Sequence, residues 1–172
     1  MADTPIDAAY QEHEALVQML DVAKEISLKS VADDRFRRVL VIAAGSYFES
    51  RVRGAIESFV ALHSQNHAWV MAFLRAKALE RQYHSYFEWK GSNANSFFGL
   101  FGEDCLKRHS SAIKDNEELR AGMRSFLELG RLRNELAHKN FLTYPIEKTV
   151  EEVYAEFLRS LVFVEYVEQV FS

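Results

Sequence analysis

The tightest constraint on this chain is the apolar spacing over residues 147–171. Val150, Val153, Tyr154, Phe157, Leu161, Val164, Val167 and Phe171 recur at steps of three and four, which lines them along one stripe of an α-helix. A stripe of that length needs a partner surface. Glu147, Glu151, Glu152 and Glu156 crowd the first turns of this segment, where the helix dipole favours negative charge. The same period recurs upstream. Ala9, Leu16, Leu20, Ala23 and Ile26 predict a helix over 7–29, with Asp3 or Thr4 as cap and Pro5 in its first turn. Asp33 or Asp34 opens a second over about 34–62, its buried side marked by Phe36, Val39, Leu40, Ala43, Tyr47, Ile56, Phe59 and Val60. Trp69, Val70, Phe73, Leu74 and Ala78 mark a third over 66–82, and a short one over 103–113 is capped near Glu103 or Asp104. Asp115 or Asn116 then starts a helix through Leu119, Met123, Phe126, Leu129, Leu132 and Leu136. With seven Gly and two Pro in 172 residues, no β-rich architecture is supported. The expectation is a single all-α domain over 1–172, an up-and-down helical bundle of four to five main helices with a short extra helix.

Within that frame, Arg131-Leu132-Arg133-Asn134-Glu135-Leu136-Ala137-His138-Lys139 joins core residues to a polar set the core does not need. Leu129, Leu132 and Leu136 fall on one side of the helix. Asn134 and His138, four apart, share the opposite side, and Arg133 projects between. With 13 Arg, 6 His and 6 Asn in the chain, an Arg followed five places later by His is expected about 0.45 times by chance. Asn directly after the Arg lowers that to about 0.016. A surface Arg and a last-turn His also occur together simply to serve a helix C-terminus, so the residues alone leave two readings open.

Arg133-Asn134-x-x-x-His138 resembles the Arg-polar-x-x-x-His signature of HEPN domains. Ala44-Gly45-Ser46-Tyr47-Phe48-Glu49, Tyr86-Phe87-Glu88-Trp89, Asn93-Ala94-Asn95-Ser96-Phe97-Phe98 and Phe101-Gly102 resemble the branch that includes the RiboL-PSP type. The likeness runs over roughly residues 33–170. It implies a HEPN-like bundle and a metal-independent endoribonuclease, acting as a toxin or defence effector through a composite site shared by two protomers. It also implies an alternative, a non-catalytic module that binds RNA or a nucleotide, or adapts an antitoxin or defence partner. A helical interaction protein with a merely structural Arg-Asn-His set is the third reading. Where some branches carry a tyrosine modified by a partner nucleotidyltransferase, this chain has Asn140.

The chemistry matches the residue types. Attack of a ribose 2′-hydroxyl on phosphorus needs a base, an acid and a cation. His138 shuttles protons near neutral pH, Arg133 grips phosphate oxygens, and Asn134 orients either. Glu49 reads either as an i,i+4 partner of Arg53 or as an acid that orients the motif, and Arg131 and Lys139 are candidate RNA contacts. Glu135 and His13 read as solvated. Gly45 and Gly54 allow close helix approach, and Gly130 allows the motif's polar side to near another backbone. Aromatics over 83–101, flanked by Lys90, Lys107 and Arg108, suit either base stacking or packing between helices.

Other classes fall away. His63 and His67 have metal-like spacing, but no third ligand or HExxH glutamate accompanies them. No metal and no cofactor is expected. The one cysteine, Cys105, sits in no nucleophile motif and fits a reducing compartment. Net charge is −4, but it is uneven. Residues 1–30 and 142–172 each hold two Lys/Arg against six Asp/Glu, while 31–90 hold nine against six. A local basic surface for RNA and an ordinary solvated face both fit that pattern. No apolar run approaches a membrane span and the first residues lack a signal peptide's pattern, so the expected location is cytoplasmic.

Overall fold

Four long helices carry the structure, and each starts or stops for a local reason. The computed structural model describes residues 4–172. In α1, Pro5–Val22, Thr4 is the cap: its hydroxyl accepts from the Asp7 amide at 3.2 Å while Asp7 Oδ2 accepts from the Thr4 amide at 2.7 Å. Asp3, the other expected cap, lies outside the described residues. The helix does not run to residue 29. Lys24 takes a left-handed φ of 59° and the chain reverses into α2, Ile26–His63. A non-glycine residue there gave the sequence no glycine signal for the turn. Short helices follow: α3, Ala68–Leu74, runs into one π-helical turn, Arg75–Leu79, before α4, Tyr83–Tyr86, and α5, Asn95–Gly99. The expected third helix therefore ends short of residue 82, where Arg81 has a φ of 58°. Next come α6, Glu103–Asp115, entered through Gly102 at φ 99° rather than an acidic cap, then α7, Glu117–His138, and α8, Val150–Val170. No strand occurs among the described residues.

The pairings fix the directions. His13 of α1 meets Asp33 of α2, while Asp7 meets Tyr154 of α8. Arg37 reaches the Lys148 carbonyl just before α8, and Arg51 forks onto Glu168 near its end. So α2 and α8 run the same way and α1 runs against both. Gly122 lies against the Arg159 carbonyl and Phe163 amide at the middle of α8, and Ser125, farther along α7, bonds the earlier Glu156, so α7 is antiparallel to α8. The result is an up-and-down four-helix bundle with α3 to α6 packed on one side, as expected of the class. A Cβ on Gly122 would stand 2.7 Å from the Arg159 oxygen, so that glycine sets the α7–α8 approach.

The apolar stripes are covered unevenly. Residues Val150, Val153, Phe157, Leu161, Val164, Val167 and Phe171 are all buried, and Phe48, Phe126 and Phe163 pack around Phe157 or one another. On α2 the buried line is Leu40, Val41, Ala44, Phe48, Val52 and Ile56, so Val39 faces outward. The α1 stripe is not covered: Leu16, Met19, Val22 and Ile26 are exposed, as are Trp69 and Phe73 of α3. His13 is the opposite correction. The reversal at Lys24 lays it on Phe36, ring centroids 4.0 Å apart, with Nε2 2.8 Å from Asp33 Oδ1, so it is buried rather than solvated.

One polar clip ties the start of α2 to the segment leading into α8. The buried Arg38 donates to the Tyr144 carbonyl at 3.2 Å and to Asp34, which also accepts from Arg37 at 2.5 Å. These hydrogen bonds, from Arg37 first and then Arg38, hold the Asp34 carboxyl below the usual carboxylate range. A depressed pKa contributes stability above the ordinary aspartate value of about 3.9 and loses it as pH falls through the lower folded value. Asp34→Asn should therefore flatten the fall of melting temperature below about pH 4, measured against wild type across an acid series.

Candidate functional site

The C-terminal half of α7 builds the site. Asn116 caps the helix by accepting from the Leu119 amide at 3.0 Å, and Leu129, Leu132 and Leu136 are buried against the bundle. That leaves Arg133 and Asn134 half-buried and His138 exposed as the last helical residue. Arg133 lies across α2 at Gly45, where an added Cβ would stand 2.8 Å from Arg133 Cγ. Its Nη2 then donates to Glu49 Oε2 at 3.1 Å and its Nη1 to Asn134 Oδ1 at 3.2 Å. Glu49 also lies 3.6 Å from Arg53, so both sequence readings of that acid describe real contacts. The His138 ring has no hydrogen-bond partner among the described residues.

A cleft of about 930 Å³ opens along this face of α7, lined by Arg131, Arg133, Asn134, Glu135, His138 and Lys139 on one wall. His84, Glu88, Trp89 and Lys90 form the facing wall. Four permanent cations face two carboxylates here, a positive site on a chain of net charge −4. Not all of that charge is free. Arg131 binds Glu128 through two 2.9 Å hydrogen bonds and Glu135 at 2.9 Å, and those carboxylates push its guanidinium pKa up. Glu135 is accordingly half-buried and engaged, not solvated: the Tyr144 hydroxyl donates to it, and this bond first, then Arg131, holds its carboxyl low. Lys139 sits 4.8 Å over the Tyr144 ring.

Sequence reasoning missed the facing wall. Gly130 does not let a backbone approach; the Trp89 indole lies on it, and a Cβ there would fall 2.0 Å from Cζ3. Trp89 also donates from Nε1 to the His84 carbonyl at 2.8 Å. Only a small residue one turn before Arg133, paired with an unpartnered tryptophan, could have hinted at this. The other aromatics of 83–101 chiefly pack: Tyr83, Tyr86, Phe87, Phe97 and Phe98 are buried. Lys107 pairs with Glu103, and Arg108 lines a different cavity with Phe59, Phe101 and Phe171. His63 is committed to the Phe59 carbonyl at 2.9 Å, and no group of three or more His, Cys, Asp or Glu among the described residues could hold a metal. Cys105 is half-buried, and burial raises its thiol pKa. No helix among the described residues is long and apolar enough to cross a membrane.

An all-α bundle with Arg-Asn-x-x-x-His at the open end of a core helix is the architecture of a HEPN domain. The model of the RiboL-PSP-HEPN family matches residues 8–172, and the chain belongs to that family. No curated protein and no solved structure matches it.

Two kinds of damage should separate along this helix. Leu136→Ala truncates a residue 2% exposed and should cost roughly 2–5 kcal/mol in a denaturant titration. His138→Ala should stay within about 0.5 kcal/mol of wild type, because the residue is exposed and its ring makes no hydrogen bond among the described residues. Gly130→Ala should destabilise by roughly 1–3 kcal/mol although alanine favours the helix, because the rigid indole must move; an unchanged melting temperature would refute the packing argument.

Proposed function

We propose that this protein is a metal-independent endoribonuclease of the toxin or defence type, with Arg133, Asn134 and His138 as its catalytic residues. The observation that carries this reading is their placement. All three leave one and a half turns of a core helix for a basic cleft, off the leucine stripe that buries the helix in the bundle. The ribose 2′-hydroxyl attacks the adjacent phosphorus, its proton passing to a base as the P–O2′ bond forms. The P–O5′ bond breaks, and the leaving oxygen takes a proton from an acid. The products are a 2′,3′-cyclic phosphate end and a 5′-hydroxyl end. His138 at the rim serves one proton transfer. Arg133 neutralises charge on the phosphorane, and Asn134 orients Arg133, which already donates to it at 3.2 Å.

One histidine covers only one of two proton transfers at a time. Pairing of two protomers with His138 of each near the two-fold axis supplies the second, giving a composite homodimeric site. An antitoxin or defence-system protein is the partner that would hold such an activity in check. The second reading, a non-catalytic RNA-binding or adaptor module, is favoured by one contact: Glu49 already neutralises Arg133 at 3.1 Å.

Purified protein should cut total RNA in the presence of EDTA. Arg133→Ala and His138→Ala should each lower that rate at least about a hundredfold, with the helical circular-dichroism spectrum kept in both and the melting temperature of His138→Ala within a degree or two of wild type. Cleavage lost in EDTA and restored by Mg²⁺ would overturn the metal-independent mechanism. Tight RNA binding without cleavage in the wild type would favour the adaptor. Light scattering at micromolar concentration should report a dimer, and a monomer would remove the composite site.

A further inference from the structure

We infer that the wall facing α7, His84 and Lys90 clamped by Trp89, is a second phosphate-binding position in the cleft. This rests on the ribonuclease reading and extends it to the substrate.

The wall is built before any ligand arrives. Trp89 anchors it twice, through Nε1 to the His84 carbonyl at 2.8 Å and through the indole seated on Gly130 of the motif helix. The Glu88 amide donates to Ser96 Oγ at 3.1 Å, and the Gly91 amide closes a turn onto the Glu88 carbonyl at 2.8 Å. None of these anchors uses the His84 or Lys90 side chain. Both are exposed in the cleft and have no hydrogen bond or ion pair among the described residues. That sets them apart from the cations opposite, where Arg131 is held by Glu128 and Glu135, and Arg133 by Glu49. A fixed backbone presenting an uncompensated ammonium and an imidazole suits an oxyanion. Glu88 is the one acid on this wall, and it forms no ion pair with His84 or Lys90.

With a scissile phosphate at Arg133 and His138, an adjacent phosphate of the same chain needs its own cation, and His84 and Lys90 line the same cleft.

The test uses a labelled single-stranded oligoribonucleotide and the His138→Ala protein, so that binding is read without cleavage. Adding Lys90→Ala and His84→Ala together should weaken binding about tenfold. It should also shrink the slope of log K against log salt by about 0.7 for each phosphate left without its cation. In the enzyme with His138 restored, the same pair should raise KM about tenfold with kcat within twofold. Unchanged binding and salt slope in the double variant, with Arg133→Ala still weakening the complex, would overturn the wall assignment and leave the ribonuclease reading standing. No binding by His138→Ala protein and no cleavage by wild type would overturn both.

Discussion

The approach of α7 to α2 at Gly45 governs the polar end of the bundle. Because that position lacks a Cβ, the Arg133 stem lies directly on the α2 backbone, its Cγ 2.8 Å from where a methyl carbon would be. The guanidinium is thereby delivered to Glu49 on one side and Asn134 on the other. A bulkier residue would push the stem outward and uncouple all three groups. Burial pushes the Tyr83 phenol up, and nearby the Glu49 charge adds to that while Arg133 opposes it. Helix packing and site electrostatics are therefore one constraint, set by a single missing methyl group.

A second constraint acts from the far end of the motif. Residues 139–149 leave α7 and must return to start α8, and this segment is pinned at several points. Arg38 takes the Tyr144 carbonyl, Arg37 the Lys148 carbonyl, and the Tyr144 hydroxyl bonds back to Glu135. The Thr149–Glu152 capping box then opens α8. His138 lies between a helix fixed by its leucines and a connection fixed by arginines, yet its own ring stays open to the cleft.

How far the sequence could be read follows from which signals are local. The stripe from Val150 to Phe171 and the caps at Thr4 and Asn116 are properties of single helices, and they survive folding unchanged. The break at Lys24 does not announce itself, because a left-handed lysine leaves no compositional mark. Missing it carried His13 from the core to the surface and extended α1 by seven residues beyond Val22. The site divides the same way. Arg133, Asn134 and His138 share one helix and were legible by spacing, whereas His84 and Lys90 join them only through the fold. Glu49 was ambiguous because it has two partners, Arg53 along its own helix and Arg133 across the bundle.

The seating of Trp89 on Gly130 has an optical consequence. The chain has two tryptophans. Trp69 is 83% exposed on α3 and should emit like an indole in water, while Trp89 is half-buried beside the motif. The two emission bands are thus separated in wavelength and in location. A Trp69→Phe background would leave one fluorophore, held in the wall of the cleft and hydrogen-bonded to its rim. Any ligand that enters the cleft, cut or uncut, would then register in the quenching of a reporter the protein already carries.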